Sequence, residues 1–134
     1  MSDLPVIHVV AGALLDGAGN VLIAQRPPGK HLAGGWEFPG GKLDAGETPL
    51  AALHRELREE LGIEVMHAEW LASCQHEYSD RRVMLELWTV PAFSGTPQSL
   101  DGQALRWVPL RELEDAGMLP ADKPLVAALI SKLS

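Results

Sequence analysis

The chain is 134 residues long, 46% apolar and 22% charged, with a formal net charge of −7. That length suits one domain, residues 1–134, around one core. The acidic balance, with no basic stripe, excludes a protein that wraps nucleic acid, and an acidic chain that handles phosphate needs cations to reconcile the two.

The opening MSDLP has no basic region leading into an apolar run, so no signal segment is expected. No apolar stretch reaches the ~20 residues of a membrane span. Residues 6–15 and 21–25 read as strands joined by Asp16-Gly17-Ala18-Gly19-Asn20, a hairpin signal. A loop with Pro27-Pro28-Gly29 and Gly34-Gly35 leads to a short strand, Trp36-Glu37-Phe38. Thr48-Pro49 is a helix start: a hydroxyl cap and then proline at the first helical position. Leu50, Leu53, Leu57 and Leu61 recur at helical spacing and predict one apolar stripe. Gly62 marks the stop.

Beyond it, residues 63–76 and 82–90 read as strands around the Tyr78–Asp80 turn, and 104–108 as another. Cys74 is the only cysteine, so no intramolecular disulfide can form, which suits a reducing cytoplasm. Residues 110–114 predict a short helix and 125–133 a C-terminal helix with an apolar face. The tryptophans at 36, 70, 88 and 107 are expected in the core rather than as stacking platforms. There is no internal repeat and no linker. Strands on both sides of a central helix, with a second helix at the end, predict an α/β fold: a mixed sheet between helices.

Chemistry concentrates in residues 41–63, GKLDAGETPLAALHRELREELGI. Glu56, Glu59 and Glu60 share a neighbouring helix face, and Arg55 lies one turn before Glu59. Like charges at 56 and 60 repel by roughly 0.2–0.5 kcal/mol. Arg55 and Arg58 could offset that on an ordinary solvated face. The loop before the helix favours a cation instead, because Gly40-Gly41 and Gly46 can bring Glu47 back toward the same face. Clustered carboxylates select hard ions such as Mg²⁺ or Mn²⁺. No histidine or cysteine has the spacing for zinc.

The segment resembles the Nudix box: glycine, five residues, glutamate, seven residues, then Arg-Glu-apolar-any-Glu-Glu-any-Gly-apolar. The matching positions are Gly41, Glu47, Arg55, Glu56, Leu57, Glu59, Glu60, Gly62 and Ile63. At residue frequencies of ~5–7%, chance gives such a match on the order of 10⁻¹⁰ per start site. The resemblance implies the Nudix α/β/α sandwich over essentially the whole chain. Four further stretches look like the MutT branch, whose members hydrolyse oxidised guanine nucleoside triphosphates. They are Arg26 in LIAQRP, the run HLAGGWEFPGGK, the SDRR turn and the segment PADKPL.

By that resemblance Glu56 and Glu60 are the direct metal ligands, Glu59 shares or bridges, and the Gly40 carbonyl adds a neutral oxygen. Arg55 orients a glutamate. Glu47 is either a water-mediated ligand or a brace for its loop. The base that activates water is Glu59 or Asp101. Asp101 is equally suited to a plain Asp-Gly turn. Substrate candidates are Arg26, His31, Glu37, Phe38, Pro39, Gly40, Lys42 and Arg81. One departure matters: where MutT-like sequences often carry an asparagine to read the purine edge, this chain has Asp122. Asparagine donates and accepts, whereas an ionised aspartate only accepts. Asp122 therefore reads the base or caps the last helix.

The expected activity is Mg²⁺-dependent hydrolysis of oxidised guanine triphosphates to monophosphate and pyrophosphate, by a cytoplasmic monomer that binds neither nucleic acid nor membrane. The alternatives are a CTP or modified-cytosine nucleotide pyrophosphohydrolase, and a silent nucleotide-binding module.

Overall fold

The first apolar run forms β1 (Val6–Leu14), and the Asp16 turn returns the chain into β2 (Asn20–Gln25). The Asp16 carboxylate makes that turn, accepting the amides of Ala18 and Asn20 and the Asn20 side chain at 2.8–3.1 Å. This is a computed structural model, and it describes residues 4–133. Next come β3 (Trp36–Glu37) and β4 (Gly40–Lys42), then helix α1 (Pro49–Leu61). A long hairpin of β5 (Glu64–Glu77) and β6 (Arg82–Ser94) follows. The chain ends with β7 (Ala104–Pro109), a 3-10 turn at Leu110–Asp115, another at Pro120–Asp122, and helix α2 (Lys123–Leu133).

The strands form two sheets, ordered β4-β1-β6-β5 and β3-β2-β7. β1 and β6 run parallel, and the other pairs are antiparallel. A parallel pair needs a long crossover; here β2 through β5 supply it, α1 included. Alternate residues of β1 then face two cores. Val10 and Leu14 pack with Leu53, Leu57, Leu61 and Val90 under α1. Ala11 and Ala13 pack with Phe38, Leu85, Leu87, Leu125 and Leu129, the last two from α2. The sheets thus lie between two helices, as the sequence predicts.

The α1 caps follow local chemistry. Thr48 Oγ1 accepts the Ala51 amide at 3.1 Å, and Gly62 ends the helix at φ 69° with its N–H on the Arg58 carbonyl. That positive φ favours glycine. Gly12 lets the helix approach β1, since a Cβ there would meet Leu57, Leu53 and Val90 at 3.1–3.3 Å.

Several expectations need correction. Leu50 is 39% exposed and leaves the stripe; Ala52, fully buried, takes its place. None of the tryptophans is fully buried. Trp70 is 55% exposed on edge strand β5, opposite half-buried Trp88 on β6, and Trp107 is 37% exposed. The Trp36 ring is covered by the Arg106 guanidinium at 4.8 Å. β6 runs on to Ser94, and β4 was not anticipated. The 110–114 helix is a 3-10 turn, and α2 starts two residues early. Among the described residues no helix is long and apolar enough to cross a membrane.

Candidate metal and substrate site

Arg55 organises the acidic segment. Its Nε and Nη2 clamp Glu47 at 2.7 and 2.9 Å, and Nη2 also donates to the Lys42 carbonyl at 3.0 Å. Nη1 reaches Glu56 at 2.9 Å and Glu59 at 3.2 Å. One guanidinium thus ties the glycine loop to the helix. Glu47 Oε1 also accepts the Asp44 amide at 2.8 Å. The Arg55 hydrogen bonds pull the Glu47 carboxyl down to about 2. With both oxygens engaged, Glu47 ties its loop to the start of the acidic helix face. The Arg55 pKa is raised in turn, chiefly by Glu47.

β4 brings the backbone against two carboxylates. A Cβ at Gly41 would stand 2.5–2.6 Å from both Glu56 oxygens, so only glycine leaves Glu56 its place. Burial raises the Glu56 pKa, opposed by Arg55. Glu60 lies deeper. Its Oε2 is buried without a hydrogen-bond partner. Burial, then the charges of Glu56, Asp101 and Glu37, push its pKa up to about 8, partly offset by the Gly40 backbone.

These residues fit a hard divalent cation. The donors are carboxylate oxygens, and the orphaned Glu60 oxygen is a group that protein interiors normally pair. Among the described residues no three acids or histidines are yet gathered as a cage. The reason is visible: Glu56 and Glu59 are turned toward Arg55, and the Glu59 side chain is 60% exposed.

Gly40 presses on β1, where a Cβ would overlap the Val10 carbonyl oxygen. Backbone cannot yield as a side-chain tip can. Gly40→Ala is therefore expected to cost about 1–3 kcal/mol of stability, the range for overpacking. Urea unfolding checks this; an unchanged midpoint would mean that β4 can lift away freely.

Next to the acids opens a cavity of about 680 Å³. Its lining gathers all the substrate candidates: Arg26, His31, Glu37, Phe38, Pro39, Gly40, Lys42, Arg81 and Asp122. Glu60 and Asp101 line it as well, whereas Arg55, Glu56 and Glu59 do not. Arg26 Nε pairs with Glu37 at 3.1 Å and Nη1 donates to the His31 carbonyl at 3.0 Å, bridging the strand end to its loop. Burial raises the Glu37 pKa against that pairing. Phe38 is 3% exposed and belongs to the core while forming part of the wall.

Asp122 is 4% exposed, and its Oδ2 accepts the Phe38 amide at 3.0 Å. That bond spans 84 residues of sequence and turns the carboxylate toward β3 and the cavity. The capping alternative does not describe this contact. Burial pushes the Asp122 pKa up to about 7, eased by the Phe38 bond.

Sequence reasoning missed other residues of the site. Tyr78 lines the cavity, with His76 and His31 edge-on at 4.6 and 5.5 Å and Arg81 at 5.7 Å over its ring. Lys30 adds a cation to the lining, and Gln103 is buried beneath the Asp101 loop. In the sequence Tyr78 signals only the start of a turn, and a lone glutamine carries no spacing signal.

Comparison with known proteins fits this geometry. A model of the NUDIX domain matches residues 10–128. The CTP pyrophosphohydrolase of Escherichia coli (strain K12) is 45% identical, over 96% of this chain and 94% of its own. The 8-oxo-dGTP diphosphatase of the same organism is 34% identical, over 92% of this chain and 95% of its own. The solution structure of the E. coli ORF135 protein superposes with a TM-score of 0.85 at 44% identity, covering 98% of this chain and 93% of that one.

Proposed function

The chain belongs to the NUDIX family, as a hydrolase of nucleotide diphosphate linkages, and from that premise we propose that it cleaves nucleoside triphosphates to monophosphate and pyrophosphate with the help of Mg²⁺ or Mn²⁺. The observation that carries the reading is the unpartnered buried oxygen of Glu60 at the junction of acidic helix and cavity.

In this reading Glu56 and Glu60 would hold the cation, Glu59 would share it, and the Gly40 carbonyl would complete the protein's donors. The bound ion supplies charge neutralisation on the polyphosphate and a more acidic water. The protein's own residues do the rest by positioning. Arg55 keeps the glycine loop and Glu56 in register through Glu47. Arg26, Lys42 and Arg81 face the phosphates from the cavity wall, which His31 also lines. Glu37 holds Arg26, and Phe38 with Pro39 flanks the base. Of the two candidate bases, Asp101 is favoured, because it lines the cavity while Glu59 points to solvent and Arg55. A monomer acting on the cytoplasmic nucleotide pool is part of the same proposal.

Two readings of the base follow from Asp122. Oxidised guanine nucleotides, in the MutT-like manner, suit a protonated Asp122 that can donate to a carbonyl. Cytosine nucleotides suit the ionised form, which accepts from an amino group; the 45% identical CTP pyrophosphohydrolase supports this second reading. The retained glutamates argue against a silent binding module.

A panel of ordinary and oxidised nucleoside triphosphates, assayed with Mg²⁺ and compared by kcat/KM, tests the proposal. The expected products are the monophosphate and pyrophosphate. Orthophosphate release would overturn the attack site, and turnover of neither base class would overturn the reading itself.

A further inference from the structure

We propose that Gln103 is a positioning residue, fixing the Asp101 loop to the carbonyl end of α1 and so setting where Asp101 stands beside Glu60. This rests on the pyrophosphohydrolase reading with Asp101 as the base.

Gln103 is 8% exposed, while residues 98–102 around it are exposed. A buried amide is costly unless both its ends are bonded. Here both are. Oε1 accepts the Asp101 amide at 3.0 Å and the Ser99 hydroxyl at 2.9 Å. Nε2 donates to the Glu60 carbonyl at 3.3 Å. The Ser99 hydroxyl also lies against the Gln103 carbonyl.

The same loop serves the end of α1. Its last turn leaves carbonyls without partners inside the helix. Leu100 N–H donates to the Glu60 carbonyl at 3.1 Å, and Gln98 N–H to the Leu61 carbonyl at 2.9 Å. Glu60 thus works at both ends: its carboxylate faces the cavity and its carbonyl anchors the loop that carries Asp101. A base held on exposed backbone would wander, and small misplacement of a reacting group can cost up to about 10²-fold in rate. The Gln103 side chain hydrogen-bonds both the Asp101 backbone and the Glu60 backbone, through its oxygen and its nitrogen.

Two variants separate positioning from scaffolding. Gln103→Leu keeps the size and removes every side-chain polar contact, leaving the backbone carbonyl to Ser99; Gln103→Glu keeps an acceptor for the Asp101 amide. In the protein without added metal, amide exchange at Leu100 and Asp101 is expected to quicken at least about tenfold in Gln103→Leu, as local opening becomes easier. With Mg²⁺, kcat should fall about tenfold and KM stay within about twofold, since the contact orients a base and not the substrate. Gln103→Glu should recover part of kcat. On an Asp101→Asn background, Gln103→Leu should cost less than about twofold, because its effect passes through Asp101. An equal loss on both backgrounds, or unchanged amide exchange, overturns the proposal. A wild-type chain inert on every triphosphate would instead overturn the functional reading, a result the exchange measurement does not share.

Discussion

Glu60→Gln is expected to lower kcat/KM by about 10³-fold, roughly 4 kcal/mol of transition-state stabilisation, while leaving the fold intact. The two halves have one cause. The Glu60 carboxyl is buried with an unpartnered oxygen, next to Glu56, Asp101 and Glu37. Burying a carboxylate this way costs the fold more than the single Gly40 backbone bond returns, and in the proposed reading a cation offsets that cost. Glutamine has the same shape and no charge, so it removes the ligand and the repulsion together. Urea unfolding without metal should give a midpoint equal to or above wild type. Near-normal turnover would sink the metal assignment. Lost cooperativity of unfolding would show that Glu60 is structural, and the lost activity would then say nothing about ligation.

What could be read in advance divides along a physical line. Helix α1 was legible because its ends are made by nearby residues: the Thr48 hydroxyl, Pro49 and the left-handed Gly62. The glutamates were legible because helical spacing alone places them on one side. β4 was not. Gly40-Gly41-Lys42 has no strand propensity, and it is a strand because β1 pairs with it and no side chain obstructs the approach. Two tryptophans follow their size and pack against the core, Trp36 and Trp88, whereas Trp70 and Trp107 sit exposed on the edge strands β5 and β7, which size alone does not reveal. In the site, the hold of Glu47 on the loop shows only in its contacts with Arg55 and the Asp44 amide, which join residues the sequence pattern does not connect. Gln103 and Tyr78 matter through partners distant in sequence, which no local pattern records.

In the proposed reading the choice of base turns on Asp122, where pH gives the sharpest test. Burial holds its proton up to about pH 7, whereas the unfolded chain releases it near 3.8. Between those values the unfolded state binds fewer protons, so stability falls as pH rises from about 4 to about 7 and then levels. Asp122→Asn can still accept the Phe38 amide and carries no charge to bury. It should therefore be more stable than wild type at pH 8 by on the order of 1–3 kcal/mol, and hardly different at pH 4. Specificity should follow the same proton. Below pH 7 the neutral carboxyl can donate to a guanine-type carbonyl; above it the carboxylate accepts from a cytosine amino group and repels the carbonyl. The ratio of kcat/KM for CTP over the oxidised guanine triphosphate is expected to rise about tenfold from pH 6 to pH 8, a mismatched polar contact being worth roughly 1–3 kcal/mol. In Asp122→Asn that ratio should be flat with pH. A wild-type ratio equally flat, alongside the expected stability gain at pH 8, would leave Asp122 as a buried support for Phe38 and move base recognition to another part of the cavity wall.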